Sequence, residues 1–173
     1  VEMVPAYNTN KFRSPGVPFH PKESNHVGFV VTIGGTRIYH TGDSDHIPEM
    51  DDLDCEVALL PVSGTYVMTV EEAAEAARTL QAQIVVPMHY GSGIGTANDG
   101  QRLTELYDGD VALLEADHRG LQIVVVGRRG EVTAGGQILG DCQSLPDRDD
   151  ARIGVTRVQG RAVRYHRPPA GRG

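Results

Sequence analysis

The sequence predicts an α/β fold, and three observations carry that expectation. Short apolar runs rich in β-branched residues alternate with segments of helical period. Successive apolar runs end in polar loops, where α/β folds gather their reactive residues. At 173 residues the chain has the length of one domain and can bury a useful core, and its 21 glycines and 5% aromatic content suit compact α/β packing.

The elements follow in order. Val1 to Pro5 reads as a strand already in progress. Val27 to Ile33 is a β-branched strand, Gly34-Gly35 is a two-residue turn, and Thr36 to His40 is the return strand, which makes a hairpin. Glu56 to Pro61 is a continuous apolar run typical of a buried strand. Thr69-Val70-Glu71-Glu72 is a capping box, and the helix it opens runs through Leu80 with Ala73, Ala76, Ala77 and Leu80 on one face. Ile84 to Pro87 is the next buried strand, Asn98 or Asp99 starts a second helix to about residue 107, and Val111 to Leu114 is a further strand. Residues 1–118 are therefore expected to form the main domain, 119–139 an extra hairpin, and 140–173 a weakly ordered tail rich in Arg, Gly and Pro.

Charge divides the chain. Residues 1–118 carry a net −12 and residues 119–173 a net +5, which together give the −7 of the whole. The acidic part argues against nucleic acid as a partner and suits a site that collects carboxylates round a cation. The basic tail lacks the interleaved aromatics of a nucleic-acid arm. No apolar run is long enough to span a bilayer, and no signal segment is recognisable at the start. The two cysteines, Cys55 and Cys142, make no disulfide framework, so a reducing, cytoplasmic setting is expected.

The richest stretch is Tyr39-His40-Thr41-Gly42-Asp43-Ser44-Asp45-His46, with two histidines and two aspartates on one loop after a strand. Imidazole nitrogen and carboxylate oxygen are ligands that zinc, iron and manganese accept. Asp43 is either a turn residue or a carboxylate that bridges two ions. His89, after the Ile84–Pro87 strand, is either a packed core histidine or a second ligand, and its pairing with Asp43 favours the ligand. His20 lies in a loop stiffened by Pro18 and Pro21, as an exposed histidine or as a ligand. His40 is a candidate to orient Asp43 by a hydrogen bond. Asp45 and His46 read as rim residues, and His26, His118 and His166 as surface.

Nucleophilic catalysis fits less well. Ser44 and Ser63 sit in no Gly-x-Ser-x-Gly elbow, Cys55 lies among acids that raise its pKa, and no phosphate-binding glycine loop is present. Metal-activated water is the preferred chemistry.

Taken in order, Val4-Pro5-Ala6-Tyr7-Asn8, Phe19-His20-Pro21-Lys22, Gly28-Phe29-Val30, Ile38 to Asp45, Ala58 to Thr69 and Ile84 to Gly91 resemble the metallo-β-lactamase superfamily. The likeness is greatest to its small metal-dependent hydrolases related to ascorbate-6-phosphate lactonase and N-acyl-phosphatidylethanolamine phospholipase D. The resemblance covers about residues 1–115 and implies an α+β sandwich of four layers, αββα, of which this chain would be the C-terminal half. It implies that Asp43 bridges metal ions and that His89 is a ligand, with both in the catalytic centre. The histidine usual after the Pro-Ala-aromatic step is Asn8 here, and His20 is expected to take its place. Asn8, Ser63, Tyr66 and Met68 are expected beside the pocket. The His-x-His-x-Asp-His string of the family does not occur in this sequence, so the chain alone is expected to be inactive.

The resemblance thus implies a hydrolase of an ester, lactone, phosphodiester or amide in a small-molecule substrate, with a divalent metal, zinc first and manganese or iron as alternatives. The other expectation is a non-catalytic binding or regulatory domain that keeps part of the metal site. An uncovered sheet face would make the chain self-associate.

Overall fold

A computed structural model describes residues 1–91, 93–117, 120–126 and 132–138, with side chains as far as Leu114. The expected tail at 140–173, with His166, and also His118, lie outside the described residues. Ten strands and two α-helices are described: β1 (Glu2–Pro5), β2 (Phe12–Ser14), β3 (Val17–Pro18), β4 (Val27–Ile33), β5 (Thr36–His40), β6 (Val57–Pro61), α1 (Val70–Thr79), β7 (Ile84–Met88), α2 (Asp99–Leu106), β8 (Asp110–Asp117), β9 (Gly120–Val126) and β10 (Val132–Ile138). Eight strands form one mixed sheet in the order β1-β4-β5-β6-β7-β8-β9-β10. Pairing is parallel from β5 to β8 and antiparallel on both flanks.

Local chemistry accounts for these elements. Gly34 and Gly35 both have positive φ, at 59° and 90°, the conformation that a two-residue hairpin turn demands. At the start of α1 the Thr69 side chain accepts from the Glu72 N–H at 3.2 Å, and the Glu72 carboxylate accepts from the Thr69 N–H at 2.7 Å. Each bond satisfies a donor that the helix end leaves over. The small hairpin β2–β3 has no counterpart in the sequence reading, because a three-residue strand beside a two-residue strand is too short to show a period.

Alternation along the strands sorts the side chains onto two faces. Val30, Tyr39, Ala58, Val85 and Val111 are fully buried on one face, in one core with Val70, Ala73, Ala76, Ala77 and Leu80 of α1 and its end and Leu103 of α2. The other face carries Met3, Phe29, His40, Leu59 and Val86 in register across five strands. This row is open at its β1–β4 end, where Met3 is 73% and Phe29 43% exposed, while Leu59 and Val86 are partly buried. Parallel strands are normally covered on both faces, whereas here the large sheet has one helix layer and an open apolar face. Among the described residues no helix is long and apolar enough to cross a membrane.

Tyr39 is the misfit in this core. Its ring is wholly buried and its hydroxyl has no hydrogen-bond partner among the described residues. Burial, with the nearby Cys55 and Glu49, raises its pKa and keeps it protonated. An unsatisfied buried hydroxyl costs about 1–3 kcal/mol. Tyr39→Phe is therefore expected to raise the urea midpoint by about 1 kcal/mol equivalent of stability; a lowered midpoint would mean that the hydroxyl has a partner after all.

Candidate metal centre

Strands β5, β6 and β7 are adjacent and parallel, so their C-terminal ends reach one edge of the sheet. Asp43 follows β5, Ser63 follows β6 and His89 follows β7. The turn to Asp43 needs Gly42, whose φ is 66°. Gly28 of β4 is needed just as much: a Cβ there would stand 2.5 Å from the His40 carbonyl oxygen and 2.6 Å from that of Thr41. His89 itself takes the left-handed conformation, φ 59°, a strained backbone state of the kind that clusters at functional sites.

Three of the sequence candidates come together here. His20 Nε2 lies 3.6 Å from Asp43 Oδ2, and His89 Nε2 lies 3.6 Å from Asp43 Oδ1. That spacing is too long for a hydrogen bond. It is close to the roughly 3.3 Å that separates two donors sharing one tetrahedral zinc at bond lengths of about 2.0–2.1 Å. Each imidazole faces its own carboxylate oxygen, as a bridging aspartate would require. Among the described residues no three His, Cys, Asp or Glu side chains close round one point, so the donors make two pairs that share Asp43 and not a closed ligand set. The donor set and spacing fit a divalent ion, with further ligands needed on both sides.

The far nitrogen of each imidazole has an anchor. His20 Nδ1 lies 3.1 Å from Asn8 Oδ1, and His89 Nδ1 lies 3.3 Å from Ser63 Oγ. Such bonds orient ligating histidines in metal proteins. Asn8 also accepts from the His20 N–H at 2.7 Å and donates to the Tyr66 carbonyl at 2.8 Å. The Tyr66 ring meets Phe19 edge-on, with centroids 4.7 Å apart, so the Ser63–Met68 loop and the His20 loop are joined beside the site.

Other candidates sit differently. His40 does not reach the Asp43 carboxylate; its Nδ1 accepts from the Gly42 N–H at 3.1 Å, so it holds the turn and not the side chain. Met68 does not line a pocket: it is fully buried in the core, and its carbonyl accepts from the Gly64 N–H at 2.9 Å. His26, assigned to the surface, is exposed, but its ring lies 5.8 Å from that of His20. Cys55 is an unsuitable nucleophile, with its pKa pushed up to about 11. Burial is the main cause, ahead of the neighbouring acids that the sequence suggested, of which Glu56 acts most.

Asp45 is the residue that sequence reasoning missed. It reads as a rim residue, yet it is only 1% exposed. Its Oδ2 accepts from the Thr9 N–H at 2.7 Å and the Asn10 N–H at 3.1 Å, and its Oδ1 accepts from Asn8 Nδ2 at 3.1 Å. Lys11 lies 3.9 Å from Asp45 and 2.6 Å from Glu72, tying this loop to the start of α1. Burial acts to raise the Glu72 pKa, but the bonds from Lys11, the Thr69 N–H and Asn10 outweigh it and hold the carboxyl below its ordinary value.

A lowered folded-state pKa contributes stability above the unfolded pKa, and that stability is lost as pH falls through the folded value. Native chain should therefore exceed Glu72→Gln in thermal stability at neutral pH, by about 0.5–1 kcal/mol for the lost charge, which faces Lys11 and the N-terminus of α1. The gap should close as pH drops below the ordinary 4.5 of the carboxyl. A gap that does not change with pH in melting curves would contradict this assignment.

Comparison with known proteins gives consistent results. Residues 3–89 match the model of the beta-lactamase superfamily domain. The chain is 40% identical over 92 residues to a metal-dependent hydrolase of Methanoculleus marisnigri, over 51% of this chain and 40% of the relative. It is 41% identical over 78 residues to one of Methanosphaera stadtmanae, over 42% of this chain and 33% of the relative. A crystal structure described as that of a metal-dependent hydrolase, from Parabacteroides distasonis, superposes with a TM-score of 0.53 at 40% identity, over 65% of this chain and 49% of that one. The chain thus spans less than half the length of the curated relatives it matches.

Proposed function

The chain belongs to the beta-lactamase superfamily, and from that premise we propose that it contributes part of the metal centre of a hydrolase. The observation that carries the proposal is the Asp43 carboxylate, with one imidazole Nε2 at 3.6 Å from each oxygen. Asp43, His20 and His89 would hold divalent metal, zinc first. When bound, the metal supplies activated water and polarises the bond to be cleaved. The protein's own part is positional. Gly42 and His40 fix the turn that presents Asp43. Asn8 and Ser63 hold the two imidazoles by their Nδ1 atoms, and Tyr66 with Phe19 walls one side. Asp43 keeps a 46% exposed side chain, so substrate has access from solvent. An ester, lactone, phosphodiester or amide of a small molecule is the substrate class.

The open face of the sheet supports a sandwich in which a second sheet packs on Met3, Phe29, Leu59 and Val86 and brings the remaining ligands. By itself the chain would bury that face against a second copy. Light scattering is expected to find dimers or larger species; a monodisperse monomer would contradict this.

A second reading is a non-catalytic domain that retains these two donor pairs, and the want of a closed ligand set among the described residues favours it. Metal analysis and hydrolysis assays decide between the two. The metal proposal expects bound zinc, manganese or iron, with affinity reduced at least about 10-fold in Asp43→Ala, His20→Ala and His89→Ala, and unchanged circular dichroism. Absence of any bound metal would refute it. Metal bound without hydrolysis of nitrophenyl ester, phosphodiester or lactone probes would support the second reading.

A further inference from the structure

Asn8 is surrounded by partners that each accept only one direction of hydrogen bond. Its Nδ2 faces the Asp45 carboxylate at 3.1 Å and the Tyr66 carbonyl at 2.8 Å, which are both acceptors. Its Oδ1 faces the His20 backbone N–H at 2.7 Å, which is a donor. Turning the amide over would set NH₂ against N–H and carbonyl oxygen against carboxylate. The amide orientation is therefore fixed, and Oδ1 is also what His20 Nδ1 meets at 3.1 Å.

An oxygen that is only an acceptor requires a proton on Nδ1. With the proton there, a neutral imidazole has its lone pair on Nε2, and Nε2 is the atom turned to Asp43. Two acceptors then face each other across 3.6 Å, an arrangement that suits a cation. His89 differs. Its anchor is the Ser63 hydroxyl, which can donate or accept, so nothing on that side selects a tautomer.

We propose that Asp45 is a positioning residue which, through Asn8, fixes the Nδ1–H tautomer of His20 and keeps its Nε2 lone pair on Asp43. The use of that lone pair for metal rests on the function proposed above; the tautomer itself does not. The second carboxylate oxygen of Asp45 explains why the charge matters. Oδ2 is occupied by the Thr9 and Asn10 N–H groups. In Asp45→Asn the one remaining acceptor oxygen would go to those two donors, leaving an NH₂ group against the NH₂ of Asn8. Asn8 would then be oriented only by the Tyr66 carbonyl and the His20 N–H, against the repulsion of that NH₂ group, and the preference of His20 for the Nδ1–H tautomer would weaken.

The test is long-range ¹H–¹⁵N NMR of the histidine rings in the metal-free chain, well above the ordinary imidazole pKa of about 6.5. His20 is expected as the Nδ1–H form in the native chain and as a mixture of both tautomers in Asp45→Asn. Zinc affinity by chelator competition should fall about 10- to 100-fold, with the His89 ring shifts unchanged. If Asp45→Asn does not fold, Asn8→Ala cuts the same link and leaves the bonds of Asp45 to Thr9 and Asn10 intact; it should give the same mixture. An Nε2–H ring in the native chain, or Nδ1–H unaltered in folded variants, overturns the proposal and reduces Asp45 to a loop anchor. A tautomer that shifts as expected in a chain that binds no zinc upholds the role of Asp45 and refutes the metal site instead.

Discussion

Parallel pairing of β5, β6 and β7 is the constraint on which the rest of the molecule depends. Three neighbouring strands running the same way must end at the same edge, and the residues after those ends must meet. Asp43, Ser63 and His89 are those residues. The register is held from below by a row of fully buried side chains, Tyr39, Ala58 and Val85. A slip of one residue would turn this row out of the core and carry the loops with it. The placement of the carboxylate is thus paid for by hydrophobic packing against α1 and α2, not by contacts in the site.

The fourth element of the site comes from outside the parallel strands. His20 belongs to a proline-containing loop after the short strand β3, and no strand of the large sheet aims it. Polar bonds do that work. Ser44 and Asp45 grip Tyr7 to Asn10, Asn8 grips His20, and Lys11 with Asn10 joins the loop to Glu72 at the α1 cap. Two aspartates two residues apart thereby serve opposite needs. Asp43 stays open to solvent with its oxygens uncommitted, while Asp45 is buried and fully engaged. Polar satisfaction explains the difference, since a carboxylate can be buried at tolerable cost only if N–H groups meet it.

Much of this was legible in the sequence. The hairpin at Gly34-Gly35, the capped helix from Thr69 and the strands read to Pro61 and Pro87 show up because they have period, punctuation or both. The adjacency of Asp43 and His89 follows from the α/β alternation, and that of His20 came from the resemblance. Asp45 was not legible. Its role depends on three bonds to residues some 36 positions away, and no local pattern separates a buried aspartate from one at a loop rim. Met68 misled for a related reason: its place beside a polar loop concealed that its side chain turns into the core. The β2–β3 pair was too short to be seen.

The central claim is that Asp43 offers one oxygen to each of two histidines as a shared metal ligand. Anomalous X-ray diffraction at the zinc edge, on crystals of the chain grown with zinc, tests it most directly. A peak within bonding distance of an Asp43 oxygen and of His20 Nε2 or His89 Nε2 is the predicted result. Zinc found only at other residues, with Asp43 and the two imidazoles free of it, would contradict the claim.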